Sequence, residues 1–403
     1  MASSARRALT NVGGNVELCR GRLQDQELLK AALHVRADDP YARSHVHGFH
    51  AYPARLHPVT AQRLVKGLAR PGDSVLDPFC GSGTVLVEAQ IERRRAAGVD
   101  ANPLAVMLSS YKLQRMRQSE CERLVADAKL VAESAEARRT GRVGPSKRYP
   151  ANQACQFDPH VLLELDGLIT AIAKLADAQS KAGLRLVLSS IINKFSRQTS
   201  DTAARPSQRR VAAGFVIRFF LGKAEELARR QAEFAKLLPT RSAQDFDIRL
   251  GDARELPYRN RSIEAIISSP PYPGVYDYIE HHRLRLQWLG LDARFLDRHE
   301  IGARRQNRTN NSLRNEYNTQ LLQCLNEMAR VLRPGGTIAL VVADSVVDAK
   351  AWYADEEIES LAETAGLWLA AAAAQIRPHF HRATGHAFGR RPRSERLLLL
   401  RRK

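Results

Sequence analysis

The chain is short of sulfur, of aromatic rings and of acid. Its 403 residues hold five cysteines (Cys19, Cys80, Cys121, Cys155 and Cys324), scattered and without a CxxC pair. That excludes a disulfide framework and a thiolate zinc site, and it suits a reducing compartment. No metal site is expected. The longest apolar stretch, LWLAAAAAQI near residue 370, is too short to span a bilayer. The opening MASSARRALTNVGG has no apolar core of signal-peptide length. A soluble, cytoplasmic protein without a membrane partner is therefore expected. Neither a full G-x-G-x-x-G nor a Walker lysine is present. Acidic residues number 43 against 62 lysines and arginines, a formal net charge of +19. Such an excess does not determine a fold, but it argues for a polyanionic partner, nucleic acid ahead of a membrane surface.

What is there is an alternation of strand and helix with one long interruption. Residues 1–44 are polar and weakly patterned, an arm or helical lead-in. The segment VHGFHAYPARLHPVTAQRLVKGL begins with two proline turns and continues as a helix. SVLDPF is a short strand ending in the loop CGSGT, VLVEAQIERRR an amphipathic helix, and AAGVDANP the next strand and turn. Strand, Gly-rich loop, helix and a strand ending in Asp make the first half of a doubly wound α/β sheet. Residues 45–112 form that first part, and 113–245 a basic, largely helical insertion. Residues 246–403 are the second part, where strand signals resume in DFDIRLGDA, IEAIIS, TIALVVADS, LAAAAAQIR and RLLLLRR. The expected sheet has about seven mostly parallel strands.

Gly81 and Gly83 let the backbone turn tightly and approach a ligand where a strand feeds a helix N-terminus. Asp100, at the end of the next strand, is placed for ribose hydroxyls. Asp252 in GDA is placed for an adenine amino group. Two such acceptors without a phosphate-binding lysine suit a nucleoside cofactor that lacks phosphates, and S-adenosylmethionine fits, its positive charges tolerated beside Asp77.

DPFCGSGT, GVDANP, GDAREL and SSPPY together resemble the amino-methylating branch of the S-adenosylmethionine-dependent DNA methyltransferases, over residues 45–112 and 246–403. The resemblance implies a Rossmann-like methyltransferase fold. It implies a cofactor site of Asp77, Phe79, Cys80, Gly81, Ser82, Gly83 and Thr84, with Asp100, Ala101, Asn102, Asp252, Ala253 and Ser268. FHAYPARLHP resembles the family's upstream cofactor segment, which places Pro53, His57 and Pro58 near the methionine end. The motifs run in unpermuted order, cofactor half first. The insertion, however, falls between the second and third strands, not after the third.

The family's catalytic loop, Asp/Asn/Ser-Pro-Pro-Tyr/Phe/Trp, is matched by Ser269, Pro270, Pro271 and Tyr272. An exocyclic base amine is conjugated with its ring and is a poor nucleophile. Two acceptors, Ser269 Oγ and the Pro270 carbonyl, can orient it and expose its lone pair. The prolines hold the carbonyl out of the sheet, and Tyr272 offers a face to a base flipped from duplex DNA. In that family serine accompanies cytosine N4 methylation more often than adenine N6. C5 methylation needs a cysteine after a proline in this loop, and none is there. Tyr276, Asp277, Tyr278 and His281 are candidates for the base pocket. Leu284, Leu286, Trp288 and Leu289 read as helix packing, and His282 as a surface residue.

Two basic stretches offer a grip on phosphates: Arg197, Arg205, Arg209 and Arg210 in the insertion, and Arg304, Arg305 and Arg308 after the catalytic loop. The insertion is the candidate target-recognition region. An RNA methyltransferase acting on an exocyclic amine and an idle nucleic-acid-binding protein remain as other readings. No nuclease signature is visible, so any restriction endonuclease would be a separate protein.

Overall fold

Short apolar runs between turn residues become strands of one sheet in the computed structural model, which describes residues 15–36, 38–197, 211–239, 246–303, 313–377 and 385–403. In chain order the strands are β1 (Val16–Arg20), β2 (Ser74–Asp77), β3 (Arg95–Asp100), β4 (Phe246–Leu250), β5 (Ile263–Ser268) and β6 (Leu332–Ala343). A small antiparallel ribbon follows, β7 (Ser345–Val347) and β8 (Lys350–Trp352), and then β9 (Leu367–Ile376) and β10 (Ser394–Arg402). The ribbon turns through Asp348 and Ala349, both at positive φ, as a two-residue hairpin loop requires.

The main sheet runs β1-β9-β10-β6-β5-β2-β3-β4. The neighbours β4, β3, β2, β5 and β6 are parallel, while β10 is antiparallel to both β6 and β9. From β2 the chain winds outward through β3 to β4, and from β5 it winds the other way to β6. The order therefore reverses between β2 and β5, and the ends of those two strands open the crevice where doubly wound sheets hold ligands. The expected Rossmann-like methyltransferase architecture is what the chain adopts.

The sheet has eight strands because the chain before residue 44 supplies one. Val16–Arg20 pairs antiparallel with the alanine-rich β9, and the helix Leu23–Leu33 follows it. Gly21 permits this close approach: a Cβ there would lie 2.5 Å from the Ala371 Cβ. The lead-in is thus an edge of the sheet.

The insertion is helical, as its periodicity implies, with main helices Gln118–Thr140, Pro159–Ala173, Ala178–Phe195 and Phe215–Leu237. Its core continues into the helices Pro103–Lys112 and Tyr278–Leu289. Two further apolar clusters cover the faces of the sheet. Leu284, Leu286, Trp288 and Leu289 are buried in the shared core, as their spacing implies. Among the described residues no helix is long and apolar enough to cross a membrane.

Candidate functional site

Strand β2 ends in Asp77, and the next residues, Pro78 to Gly83, climb over the sheet edge into the helix Thr84–Ile91. Gly81 and Gly83 sit at φ 50° and 77°. At Gly83 a Cβ would lie 2.8 Å from the Ser109 Cβ, so backbone sign and space both select glycine there. Asp100 closes the loop from the neighbouring strand, accepting from Gly81 N at 2.8 Å through one oxygen and from Asn102 N at 2.8 Å through the other. Asn102 caps the helix Pro103–Lys112 and donates its side-chain amide to the Tyr52 hydroxyl at 3.2 Å.

These groups line a cavity of about 850 Å³, counted to its open mouth. It receives Pro53, Asp77, Phe79, Cys80, Gly81, Ser82, Thr84, Asp100, Ala101, Asn102, Asp252 and Ala253 from the expected cofactor set, and Ser269 and Pro271 from the catalytic loop. Gly83 and Ser268 stand behind the wall. Ser268, fully buried, donates to Asp77 at 2.6 Å and ties the end of β5 to the end of β2.

His57, Pro58, Pro270 and Tyr272 are not part of this lining. His57 caps the helix Pro58–Leu68, accepting from Val59 N at 3.3 Å, and Pro58 is that helix's buried first residue. His57 also lines a smaller recess on the far side of Ser269, with Tyr272 and Glu395. The Ser269 and Tyr272 hydroxyls are 3.3 Å apart, and Tyr317 donates to the Pro271 carbonyl at 2.8 Å, fixing the loop from behind.

The cavity's electrostatics follow from burial. Desolvation pushes the Asp77 carboxyl up to about 7 against the bonds from Ser268 and Phe79 N, and Asp100 up to about 6 against its two backbone donors. Two acids destabilised in this way favour a cationic occupant. Asp252 differs from its expected role as an uncommitted acceptor, because Arg254 holds its carboxylate at 2.7 to 3.0 Å through Nε and Nη2.

Five lining residues come from the region after the catalytic loop: Tyr278, Leu296, His299, Glu300 and Ile301. Glu300 accepts from Tyr278 N at 2.6 Å. Of these lining residues only Tyr278 stands among the sequence-based candidates. Of the candidate base-pocket residues, Tyr278 lines the cavity, while Tyr276 and Asp277 are buried beside it. His282 is not at the surface: it is fully buried, stacked on Tyr52 with ring centroids 4.8 Å apart. Arg285 packs beneath, pairing with His282 Nδ1 at 3.2 Å and the Ser189 carbonyl at 3.2 Å. Its helical spacing hid which face was inward.

Of the arginines expected to grip phosphates, Arg197 is exposed and pairs with Asp158 at 2.6 Å. Arg205, Arg209, Arg210, Arg304, Arg305 and Arg308 lie outside the described residues.

Known proteins match only part of the chain. Residues 29–109 match a family model described as DNA methylase. A Type II methyltransferase, M.MjaII of Methanocaldococcus jannaschii, is 31% identical over 83 residues, 21% of this chain and 16% of that protein. M.XycI of Xanthomonas campestris pv. cyanopsidis, another Type II methyltransferase, is 39% identical over 75 residues, 19% of this chain and 23% of that protein. A tRNA (guanine(10)-N2)-dimethyltransferase of Methanothermobacter thermautotrophicus is 31% identical over 110 residues, 27% of this chain and 32% of its own length. The matched segments thus span less than a third of each of these relatives.

Proposed function

We propose, for a chain whose residues 29–109 match a DNA methylase family model, a methyltransferase that uses S-adenosylmethionine to methylate an exocyclic amine of a DNA base, cytosine N4 by preference. The observation that carries the reading is that one cavity is lined both by the Gly-rich loop with Asp100 and by Ser269 and Pro271 of the catalytic loop. A donor and an acceptor of a small group have to meet in such a place.

The cofactor fits this cavity on three counts. Its loop brings Gly81, without a Cβ and at φ 50°, into the lining, its ribose acceptor Asp100 stands at a strand end, and the buried Asp77 is stabilised by a neighbouring positive charge. When bound, S-adenosylmethionine supplies an electrophilic methyl group. The chain's own residues do the rest. Ser269 Oγ, which lines the cavity, accepts from the amine and turns its lone pair toward the methyl carbon, and the Pro270 carbonyl, outside the lining, becomes the second acceptor once the loop adjusts to the base. Tyr272 and the rings nearby provide a stacking face for a base rotated out of the duplex. Most of the rate comes from alignment, and the proton leaves after the nitrogen has become cationic. Basic residues of the insertion hold the backbone, and any restriction endonuclease acting on the same target is a separate protein.

The N2-dimethylating tRNA enzyme among the relatives supports a second reading, an RNA exocyclic amine as the substrate. Methylation with radiolabelled cofactor on duplex DNA, single-stranded DNA and total RNA, followed by nucleoside mass spectrometry, separates the two. N4-methylcytosine in duplex DNA is the expected product. N6-methyladenine would correct the base, label confined to RNA would select the second reading, and absence of cofactor binding would sink both.

A further inference from the structure

Behind the Gly-rich loop, away from the cavity, three buried side chains converge in a way the methyl-transfer reading does not use. His45 and His47 lie on a single helical turn, His45–Gly48, and Glu88 lies on the helix Thr84–Ile91 that the Gly-rich loop begins. The three are 2%, 0% and 0% exposed. One ligand atom from each lies within 4.8 Å of the others, and His47 Nε2 is 2.7 Å from a Glu88 oxygen.

The burial is poorly compensated as it stands. Among the described residues neither ring nitrogen of His45 has a hydrogen-bond partner. A buried polar group left unpartnered costs about 1–3 kcal/mol. His45 also holds φ 29°, a left-handed backbone that a residue with a Cβ avoids. Strain, two orphaned nitrogens and a buried carboxylate at one point call for a common partner.

The surroundings are built to hold the three in place. Arg230 donates to the His45 carbonyl at 2.8 Å, and Arg55 donates to that of His47. The Tyr41 hydroxyl sits 3.1 Å from both Glu88 oxygens, an outer hydrogen bond of the kind that orients a ligating carboxylate. Phe234 stacks on the His45 ring at 5.8 Å and closes the site to solvent. Lys112, one of the cations facing the two histidines along with Arg55 and Arg230, is anchored on the Ser82 carbonyl at 3.0 Å.

We propose that His45, His47 and Glu88 bind a divalent first-row transition cation, zinc by preference, as a structural site that clamps the turn 45–48 to the helix carrying the Gly-rich loop. Two imidazoles and a carboxylate suit zinc among the divalent cations. Bringing the three atoms to about 2.1 Å from one centre takes side-chain rotations of about an ångström. Because every donor is buried, the ion enters as the chain folds and leaves slowly.

The test is metal content by mass spectrometry on the full chain produced with added Zn²⁺ and dialysed free of loose metal, together with melting curves with and without EDTA. The expected result is about one equivalent of zinc and a melting temperature that EDTA lowers by about 5 °C. His45→Phe, which fits beside Phe234, and Glu88→Gln are each expected to lose the zinc and to melt like the EDTA-treated parent. Background zinc in the parent, or equal zinc in parent and both variants, would overturn the proposal and leave a water-filled hydrogen-bond cluster. The readout does not depend on methyl transfer, so failure of that reading leaves this one standing.

Discussion

The Gly-rich wall of the cavity and the helical insertion are held by different means. In the wall, single backbone positions decide the shape: Gly81 and Gly83 at positive φ, Asp100 on two amides, and Ser268 bridging β5 to Asp77. The insertion has such points too, Glu164 accepting from Gly214 N and Val216 N and Gly183 packed against Tyr111, but none of them lines the cavity. Its helices share a broad apolar core with the helix after the catalytic loop, and several of its cations are paired with acids one turn away, as Arg229 is with Glu233 and Arg230 with Glu226. A ligand site of fixed geometry needs the first kind of construction, whereas a surface that adapts to different targets tolerates the second.

The sharpest way to break this contrast is a pair of glycine substitutions. Gly83→Val puts branched bulk against Ser109 at positive φ and is expected to cost about 3 kcal/mol and abolish cofactor binding. Gly222→Ala, on an insertion helix where a Cβ meets open space, is expected to stabilise by about 0.5–1 kcal/mol. Urea melts of both variants decide it, and equal effects would erase the distinction.

Next in size is Ser269→Ala, expected to lower kcat about 100-fold, the scale of losing one preorganised polar contact, with cofactor Kd unchanged. A weakened Kd with kcat preserved would place Ser269 on the cofactor side instead.

The pH dependence of cofactor binding probes the same wall. Asp77, raised to about 7 in the free protein, is pulled back toward ionisation by a cationic ligand. The free form therefore holds a proton that binding must expel at low pH. Affinity should rise with pH up to about 7 and then level, with a limiting slope of about tenfold per pH unit. Asp77→Asn should flatten that profile, and calorimetry across the range would show it. A profile unchanged in Asp77→Asn would exclude this carboxyl as its source.

The smallest effect belongs to the insertion. Neutralising Arg209 and Arg210 is expected to reduce the salt dependence of DNA binding by roughly one log–log unit per lost phosphate contact, leaving kcat unchanged. An unaltered slope would mean that these arginines face solvent.

The same contrast explains what could be read from the sequence. The Gly-rich loop, Asp100 and the Ser-Pro-Pro-Tyr exit are local constraints on a few bonds, and they stand in the sequence as motifs. The structure brings their parts to one cavity. Properties that depend on distant partners were not legible. Asp252 could not be seen to be held by Arg254, because a salt bridge two residues apart carries no periodic signal. His282 read as a surface residue because the ring that covers it, Tyr52, is 230 positions away. The edge strand β1 was missed because VELCR is only half apolar and gains its partner from β9, near the other end of the chain. The arrangement of His45, His47 and Glu88 likewise depends on a helix some 40 residues downstream.

The position of β10 has a consequence for the order of assembly. This strand follows β9 in the chain yet lies between β9 and β6, and its Glu395 lines the recess beside Tyr272. β9 cannot reach its place until β10 has inserted against β6, and β1 cannot reach its own until β9 is there. The parallel pairing of β2 with β3 closes over a short loop and can form early, whereas the recess behind the catalytic loop waits for contacts that span over a hundred residues. A partly folded chain would carry the β2–β3 pair and the loop above it before it had either the Ser268–Asp77 tie or a finished pocket on the far side of Ser269.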